Sequence, residues 1–258
     1  MKVSVIIPAY NAQDTIITAL NSVYNQTYRN IEIIVINDGS TDSTLEILND
    51  FKNSRSENDI EIQIINTLNG GVSSARNNGL AKSKGELIAL LDSDDEWLPN
   101  KLEFQTKYFD RFDFVAACRN NELIKFPYNV INNDFAIITL KKLLFRVAGH
   151  TSTAVFRKSI IEDVGFFDEQ QSYSEDANYW MKIAKKYQMI ILVKSLVITG
   201  GGKPSIGHSG LSANIKGMET GAQKNIDEMY DLKYINFGEF CFFKVFSTLK
   251  YIMRIIRL

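Results

Sequence analysis

The first third of the chain alternates between short, β-branched apolar runs and stretches whose apolar residues recur at helical spacing, which leaves few folds open. Residues 3–7 read as a strand stopped by Pro8. Ile16, Ile17, Ala19, Leu20 and Val23 then mark one face of a helix over 14–24. Residues 31–36 are nearly all apolar, as expected of a strand covered on both faces. After the turn-rich Asn37-Asp38-Gly39-Ser40-Thr41-Asp42, Ser43 and Glu46 have capping-box spacing and open a helix through about Phe51. A third strand over 60–65, a helix from Asn69-Gly70-Gly71 through Ala81, and a fourth strand over 86–91 complete the pattern. Right-handed crossovers between such units predict an α/β fold: a Rossmann-like, mostly parallel sheet flanked by helices.

Beyond Pro99 the pattern loosens. Helices are expected over 102–109, 139–147 and 176–187, and strands over 112–117, 153–156 and 189–193. Residues 120–134 read as an irregular surface loop, and Gly200-Gly201-Gly202 begins a flexible stretch to about Asn214, followed by a C-terminal helical appendage. The segments are then 1–110, 111–215 and 216–258. A chain of 258 residues with 45% apolar and 23% charged residues can bury a full core, and a net charge of −1 supplies no field for nucleic acid. Cys118 and Cys241 lie too far apart for a metal or redox motif, which excludes a disulfide scaffold and fits a reducing cytoplasm. The N-terminal apolar run is too short for a signal peptide, and no run approaches the roughly 18 apolar residues of a spanning helix.

The loops after the four strands carry the chemistry. Asp92-Ser93-Asp94-Asp95 crowds three carboxylates at a strand end, which is costly unless a cation neutralises them. A divalent metal serving a phosphorylated substrate accounts for them; an acidic turn capping the helix near Pro99 is the alternative. Pro8-Ala9-Tyr10-Asn11, Asn37-Asp38-Gly39-Ser40, and Asn69-Gly70-Gly71 with Arg76 fall on the same sheet edge. Tyr10 offers a face for stacking a base, Asp38 an acceptor for a pyrimidine imide, and Arg76 a fork for a diphosphate or an acidic edge. Asp92 and Asp94 have the chemistry to hold magnesium or manganese between two phosphates. Each residue alone also reads as a turn or cap; four together on one edge point to a ligand site.

In these motifs, their order and their spacing, the chain resembles the family 2 glycosyltransferases of GT-A fold, strongly over 1–110 and more weakly to about 210. The matching elements are 5–11, 37–42, Asn69-Gly70-Gly71 with Ala75-Arg76-Asn77 and Gly79, and Asp92-Ser93-Asp94-Asp95. Thr153-Ala154-Val155-Phe156-Arg157-Lys158 and Gly165-Phe166-Phe167-Asp168-Glu169 look like the family's acceptor half and lead to Ser174-Glu175-Asp176. The resemblance implies that Pro8, Tyr10 and Asp38, with Asn11 in the same donor-binding loop, cradle a uracil-type base and that Arg76 sits beside the nucleotide. It implies that Asp92 approaches the ribose or a metal-bound water, that Asp94 ligates Mn²⁺ or Mg²⁺, and that Asp95 supports the site or caps the turn. Asp176 would be the catalytic base, with Glu175 as neighbour or substitute; acids at a helix start also favour its dipole. The segment 1–110 then becomes the nucleotide-sugar half and 111–215 the acceptor and base half. Direct displacement of a nucleoside diphosphate through an oxocarbenium-like state inverts the anomeric centre.

His208, between glycines, offers a third metal ligand or a diphosphate contact on a closing loop. His150 reads as an acceptor contact or a plain polar residue. Gly202-Lys203 is no phosphate loop, because Pro204 follows it and Val197 stands where a glycine is required. In 238–258, Lys244, Lys250, Arg254 and Arg257 recur on an aromatic and aliphatic body, which suits a helix on an anionic membrane surface; a helix docked on the protein is the alternative. That location fits a lipid-linked glycan or lipopolysaccharide-core acceptor at the inner face of a bacterial membrane. Without spanning helices or a Gln-x-x-Arg-Trp motif, one sugar per encounter is expected. A sugar-phosphate nucleotidyltransferase would need a glycine-rich cationic loop after the first strand, which Pro8-Ala9-Tyr10-Asn11 is not; a non-catalytic nucleotide-sugar-binding scaffold would have no use for Asp92, Asp94 and Asp176. The sequence indicates no oligomeric state.

Overall fold

A computed structural model describes residues 1–56, 60–202 and 213–256. The first half is built as the alternation requires: β1 (Val3–Ala9), α1 (Ile16–Tyr24), β2 (Ile31–Asp38), α2 (Thr44–Asn53), β3 (Glu61–Thr67), α3 (Val72–Lys82) and β4 (Leu87–Leu90). The four strands are parallel in the order β3-β2-β1-β4, with Val3 opposite both Ile31 and Leu87. The chain winds outward from β1 to β3, then returns to the other side of β1. The winding therefore reverses between β1 and β4, and the crevice outside their C-terminal ends is where such sheets hold ligands.

The second half follows as β5 (Glu96–Trp97), α4 (Lys101–Thr106), β6 (Phe114–Arg119), β7 (Val130–Ile131), β8 (Phe135–Ile138), α5 (Leu140–Phe145), β9 (Val155–Arg157), α6 (Ile160–Val164), α7 (Glu175–Lys186) and β10 (Met189–Ile198). β9 lies antiparallel between β4 and β6 and joins both halves into one ten-stranded sheet. β10 runs parallel to β6, and β8 and β7 close that edge antiparallel. Alternate residues of the strands feed two large cores, and Ile34 and Ile36 of β2 form a third, small cluster with Ala75. Val3, Val5 and Ile7 pack with α1 and α2; Ile6, Ile88 and Leu90 pack with α7 around Trp180.

Several local expectations are corrected. β1 continues through Pro8 to Ala9, because β4 pairing ends at Ile6 and the missing proline N–H falls beyond it. Ser43 is the residue before the helix, as its spacing with Glu46 predicts, but its side chain makes no cap bond; Asp42 instead accepts from the Thr44 N–H at 3.0 Å and the Thr44 hydroxyl at 2.6 Å, and the helix starts at Thr44. The predicted loop 120–134 contains β7, a two-residue strand too short to show a period. β10 extends past 193 because register shifts around Ser195 break its alternation. α6 and β5, also very short, carried no readable pattern.

The C-terminal helices are α8 (Ile215–Asp231) and α9 (Phe237–Ile256). α9 docks by its polar side. Lys244 pairs with Asp227 at 2.7 Å, the Ser247 hydroxyl donates to Glu219 at 2.9 Å, and Lys250 donates to the Phe145 carbonyl at 2.8 Å. Phe243 inserts against Phe145, while Phe242, Val245, Leu249, Ile252, Met253 and Ile256 are exposed. Lys244 and Lys250, expected to face lipid, are thus turned to the protein because α8 presents Glu219 and Asp227 to them. Arg257 lies outside the described residues. Among those described, no helix is long and apolar enough to cross a membrane.

Candidate active site

The crevice is organised around one buried cation. Arg76, on α3, is 3% exposed and donates to Asp92 Oδ1 after β4 and to Glu175 Oε1 at the start of α7, each at 2.9 Å. Its guanidinium carbon stands 5.6 Å from the centre of the Phe167 ring. The next residue, Asn77, fixes that ring's backbone: its amide donates to the Phe167 carbonyl at 3.0 Å and its carbonyl accepts from the Phe167 N–H at 2.9 Å. The Arg76-Asn77 pair therefore ties the parallel half to the loop before α7. Burial alone would lower the Arg76 pKa, but Asp92 and Glu175 outweigh it and hold the guanidinium charged. Burial likewise opposes ionisation of Asp92, and Arg76 more than offsets it, holding the carboxyl below its usual range.

The Asp92-Ser93-Asp94-Asp95 turn is held from the other side by Ser152. Its hydroxyl accepts from the Asp92 N–H at 3.0 Å and donates to Asp95 Oδ2 at 2.5 Å, while its carbonyl accepts from Trp97 Nε1 at 2.7 Å. Asp95, buried, also accepts from the Gly200 N–H at 3.0 Å. Burial and then Asp92 push the Asp95 pKa up to about 7. His150 Nδ1 lies 3.7 Å from Asp95 Oδ2, but burial and Arg119 lower its pKa to about 4, so the imidazole is neutral near pH 7. Asp94 is exposed on the same turn, with its pKa raised by burial and by Asp92.

Ligand atoms of Asp92, Asp95 and His150 all lie within 4.8 Å of one another. An ionised carboxylate at Asp92, a second at Asp95 that burial and the Asp92 charge hold against ionisation, and a neutral imidazole form a donor set that fits magnesium or manganese. Of the metal ligands expected from sequence, Asp92 belongs to this cluster and Asp94 adjoins it; His208 lies outside the described residues. In the sequence Asp95 and His150 each also carry a structural reading, because only the fold brings residues 95 and 150 together.

The base-binding edge is preshaped. Pro8 is buried, and Tyr10 is 52% exposed at the rim. Asn11 adopts a left-handed conformation (φ 47°); its side-chain oxygen accepts from the Thr41 N–H at 2.9 Å and its own N–H donates to Ser40 at 3.0 Å. Asp38 is buried and accepts from the Gly70 and Gly71 N–H groups, both at 2.9 Å. The structure thus gives Asp38 a clamp role that its place in a turn did not reveal; Gly70-Gly71 was the available signal, since two exposed glycine amides invite an anion. A Cβ at Gly39, whose φ is 71°, would stand 2.7 Å from the Asn69 nitrogen, so only glycine lets these two loops meet.

Opposite them, Asp176 is the second residue of α7. Its Oδ1 accepts from the Ala177 N–H at 2.7 Å; burial and then the Glu175 charge push its pKa up to about 6. The adjacent acids differ in surroundings: Glu175 pairs with Arg76, and Asp176 makes its bond to the Ala177 N–H.

A crevice at the switch point of the parallel strands, rimmed with acids, defines an α/β protein built to hold a ligand outside its strand ends. The chain belongs to glycosyl transferase family 2, whose sequence model matches residues 4–165. WfgD of Escherichia coli, a UDP-Glc:alpha-D-GlcNAc-diphosphoundecaprenol beta-1,3-glucosyltransferase, is 33% identical over 191 residues, covering 71% of this chain and 70% of its own. WfaP of Escherichia coli, of the same description, is 41% identical over 137 residues, 52% of this chain and 49% of its own. Two solved structures share the GT-A fold. S. aureus TarS 1-349 in complex with UDP-GlcNAc has a TM-score of 0.68 at 21% identity, covering 89% of this chain and 66% of that one. Mannosyltransferase PcManGT from Pyrobaculum calidifontis, with GDP-Man and Mn2+, has a TM-score of 0.70 at 19% identity, covering 89% and 64%. The chain spans 26% of a matching glycosyltransferase from Rickettsia bellii and 64% of one from Rickettsia typhi.

Proposed function

We propose that the protein transfers one sugar, with inversion, from a UDP-sugar to a hydroxyl of a lipid-linked glycan in bacterial surface-glycan synthesis. The observation that carries this reading is the Asp92–Arg76–Glu175 network, which leaves Asp176 alongside with a pKa of about 6. The glucosyltransferase relatives and the TarS complex support a uridine donor, and the diphosphoundecaprenol in the relatives' descriptions supports the acceptor class.

Pro8, Tyr10, Asn11 and Asp38 hold the base and Asp92 the ribose side. As the bond between C1 and the diphosphate breaks, the acceptor oxygen bonds C1 from the opposite face and Asp176 takes its proton. Arg76 contributes fixed positive charge where the site gathers negative charge. Asp92 and Asp94, with Asp95 and His150 beside them, would hold a divalent cation, which when bound neutralises charge on the departing diphosphate. Replacing Asp94 with alanine is expected to abolish the manganese dependence of UDP binding in calorimetric titration; unchanged manganese dependence would remove Asp94 from the ligand set. Binding of GDP in place of UDP would keep the chemistry and reassign the base-binding edge.

We also infer a peripheral location at the inner membrane face, through α9. Because the helix docks by its polar side, this reading gives the lipid contact to its apolar face, each buried side chain contributing about 1.5–3 kcal/mol. The double substitution Leu249→Glu with Ile252→Glu is expected to release the protein from phosphatidylglycerol-containing vesicles in flotation. Release by Lys244→Gln alone would return the contact to the basic residues.

A further inference from the structure

The turn that precedes the acids of α7 is strained and is held by a different part of the chain. Ser174, which is not a glycine, adopts φ 56° and ψ 28° immediately before Glu175. A non-glycine residue in this left-handed conformation is strained and persists only where its surroundings fix it. Here the surroundings are one face of α8. Asn225, buried, donates to the Ser174 carbonyl at 3.0 Å, and its own oxygen accepts from Gln171 at 2.7 Å and Asn178 at 3.2 Å. Gly221 packs directly on the turn: a Cβ there would stand 2.1 Å from the Tyr173 carbonyl oxygen. Gly217 does the same under the Tyr173 ring, at 2.7 Å, and the ring hydroxyl accepts from Asn214 at 2.9 Å. Residues 214, 217, 221 and 225 recur at helical spacing, so a single face supplies all these contacts.

We propose that α8 is a positioning element for catalysis, with Asn225 and the Gly217/Gly221 face holding the left-handed turn at Ser174 that sets where Asp176 and Glu175 stand. The segment that reads as an appendage in the sequence is thereby part of the active-site support. α7 packs Trp180 and Tyr179 into the core, so its body is fixed independently; its first turn is what the backbone at Ser174 orients. Without the Asn225 amide, the Ser174 carbonyl keeps only the Asn178 N–H, at 3.1 Å. The turn can then relax toward ordinary dihedrals, and Asp176 moves relative to the acceptor hydroxyl. This inference rests on the assignment of Asp176 as the base.

The test uses the full chain with UDP-glucose and a GlcNAc-diphospholipid acceptor, comparing Asn225→Ala, Gly221→Ala and Asp176→Asn. For Asn225→Ala, kcat is expected to fall by about 10- to 100-fold, the cost of misplacing a catalytic group by an ångström or less, with KM for UDP-glucose unchanged. Amide exchange at 175–178 should accelerate in the same variant while the strands of the parallel half keep their protection. Gly221→Ala should do the same more severely or fail to fold, and Asn225→Ala then decides alone. Unchanged kcat and unchanged exchange at 175–178 in Asn225→Ala would overturn the proposal, as would parallel loss of kcat, donor affinity and global protection, which marks a purely structural residue. If Asp176→Asn retains turnover, the base assignment fails instead. If the parent does not use UDP-glucose, the donor assignment fails, and exchange at 175–178 still decides whether α8 holds the turn.

Discussion

Turnover of Asp176→Asn is expected to fall by about 10²- to 10⁴-fold, the range in which a positioned general base contributes, with UDP binding near that of the parent. Asparagine keeps the shape and the bond to the Ala177 N–H but cannot take a proton from the acceptor. The pH profile supplies the companion result. Asp176 must be ionised to act, and burial followed by the Glu175 charge raises its pKa to about 6. Parent turnover should therefore climb through pH 6 and level off above it, and this acid limb should vanish from the residual activity of the asparagine variant. A limb that survives unchanged in Asp176→Asn would move the proton transfer to another group, Glu175 first.

The second large effect is on stability. Arg76→Met is expected to destabilise the fold by about 3–5 kcal/mol, because it leaves Asp92 and Glu175 facing each other without their shared cation. The measurement is the denaturant midpoint at neutral pH, with Arg76→Lys, which keeps the charge but not the two-armed reach, falling between. The pH dependence has a definite sign. Asp92, whose folded pKa is lowered, contributes stability that is present above its unfolded value and lost as pH falls through the folded one. The difference between parent and Arg76→Met should accordingly narrow in acid. A difference that stays constant to low pH would show that the methionine variant suffers from packing, not from stranded charge.

The parallel half was legible because its information is local: apolar runs, turn residues and helical spacing predicted β1, β2, β3 and β4 and placed Asp38, Arg76 and Asp92 on one edge. The role proposed for Asp176 comes only from the resemblance, since two acids opening a helix also suit its dipole. What stayed hidden depends on residues brought together from afar. Ser152 joins Asp92 to Asp95 across some sixty positions, and Asn225 reaches the Ser174 carbonyl across some fifty. Neither serine nor asparagine carries a pattern that announces such a bond. The direction of α9 was misread for a related reason. An amphipathic helix shows two faces in sequence, and which face meets the protein was decided by Glu219 and Asp227 on another element.

β9 gives the enzyme a mechanical character. Its backbone is hydrogen-bonded to β4, which ends just before Asp92, and to β6, which pairs with the strand following α7. Any clamshell rotation of one half against the other would tear that ladder, so the span between Asp92 and Asp176 is riveted into the sheet. On the proposed roles of these two residues, substrate capture would fall to the loops at the rim, and the distance over which a sugar passes would be set when the chain folds rather than each time a donor arrives.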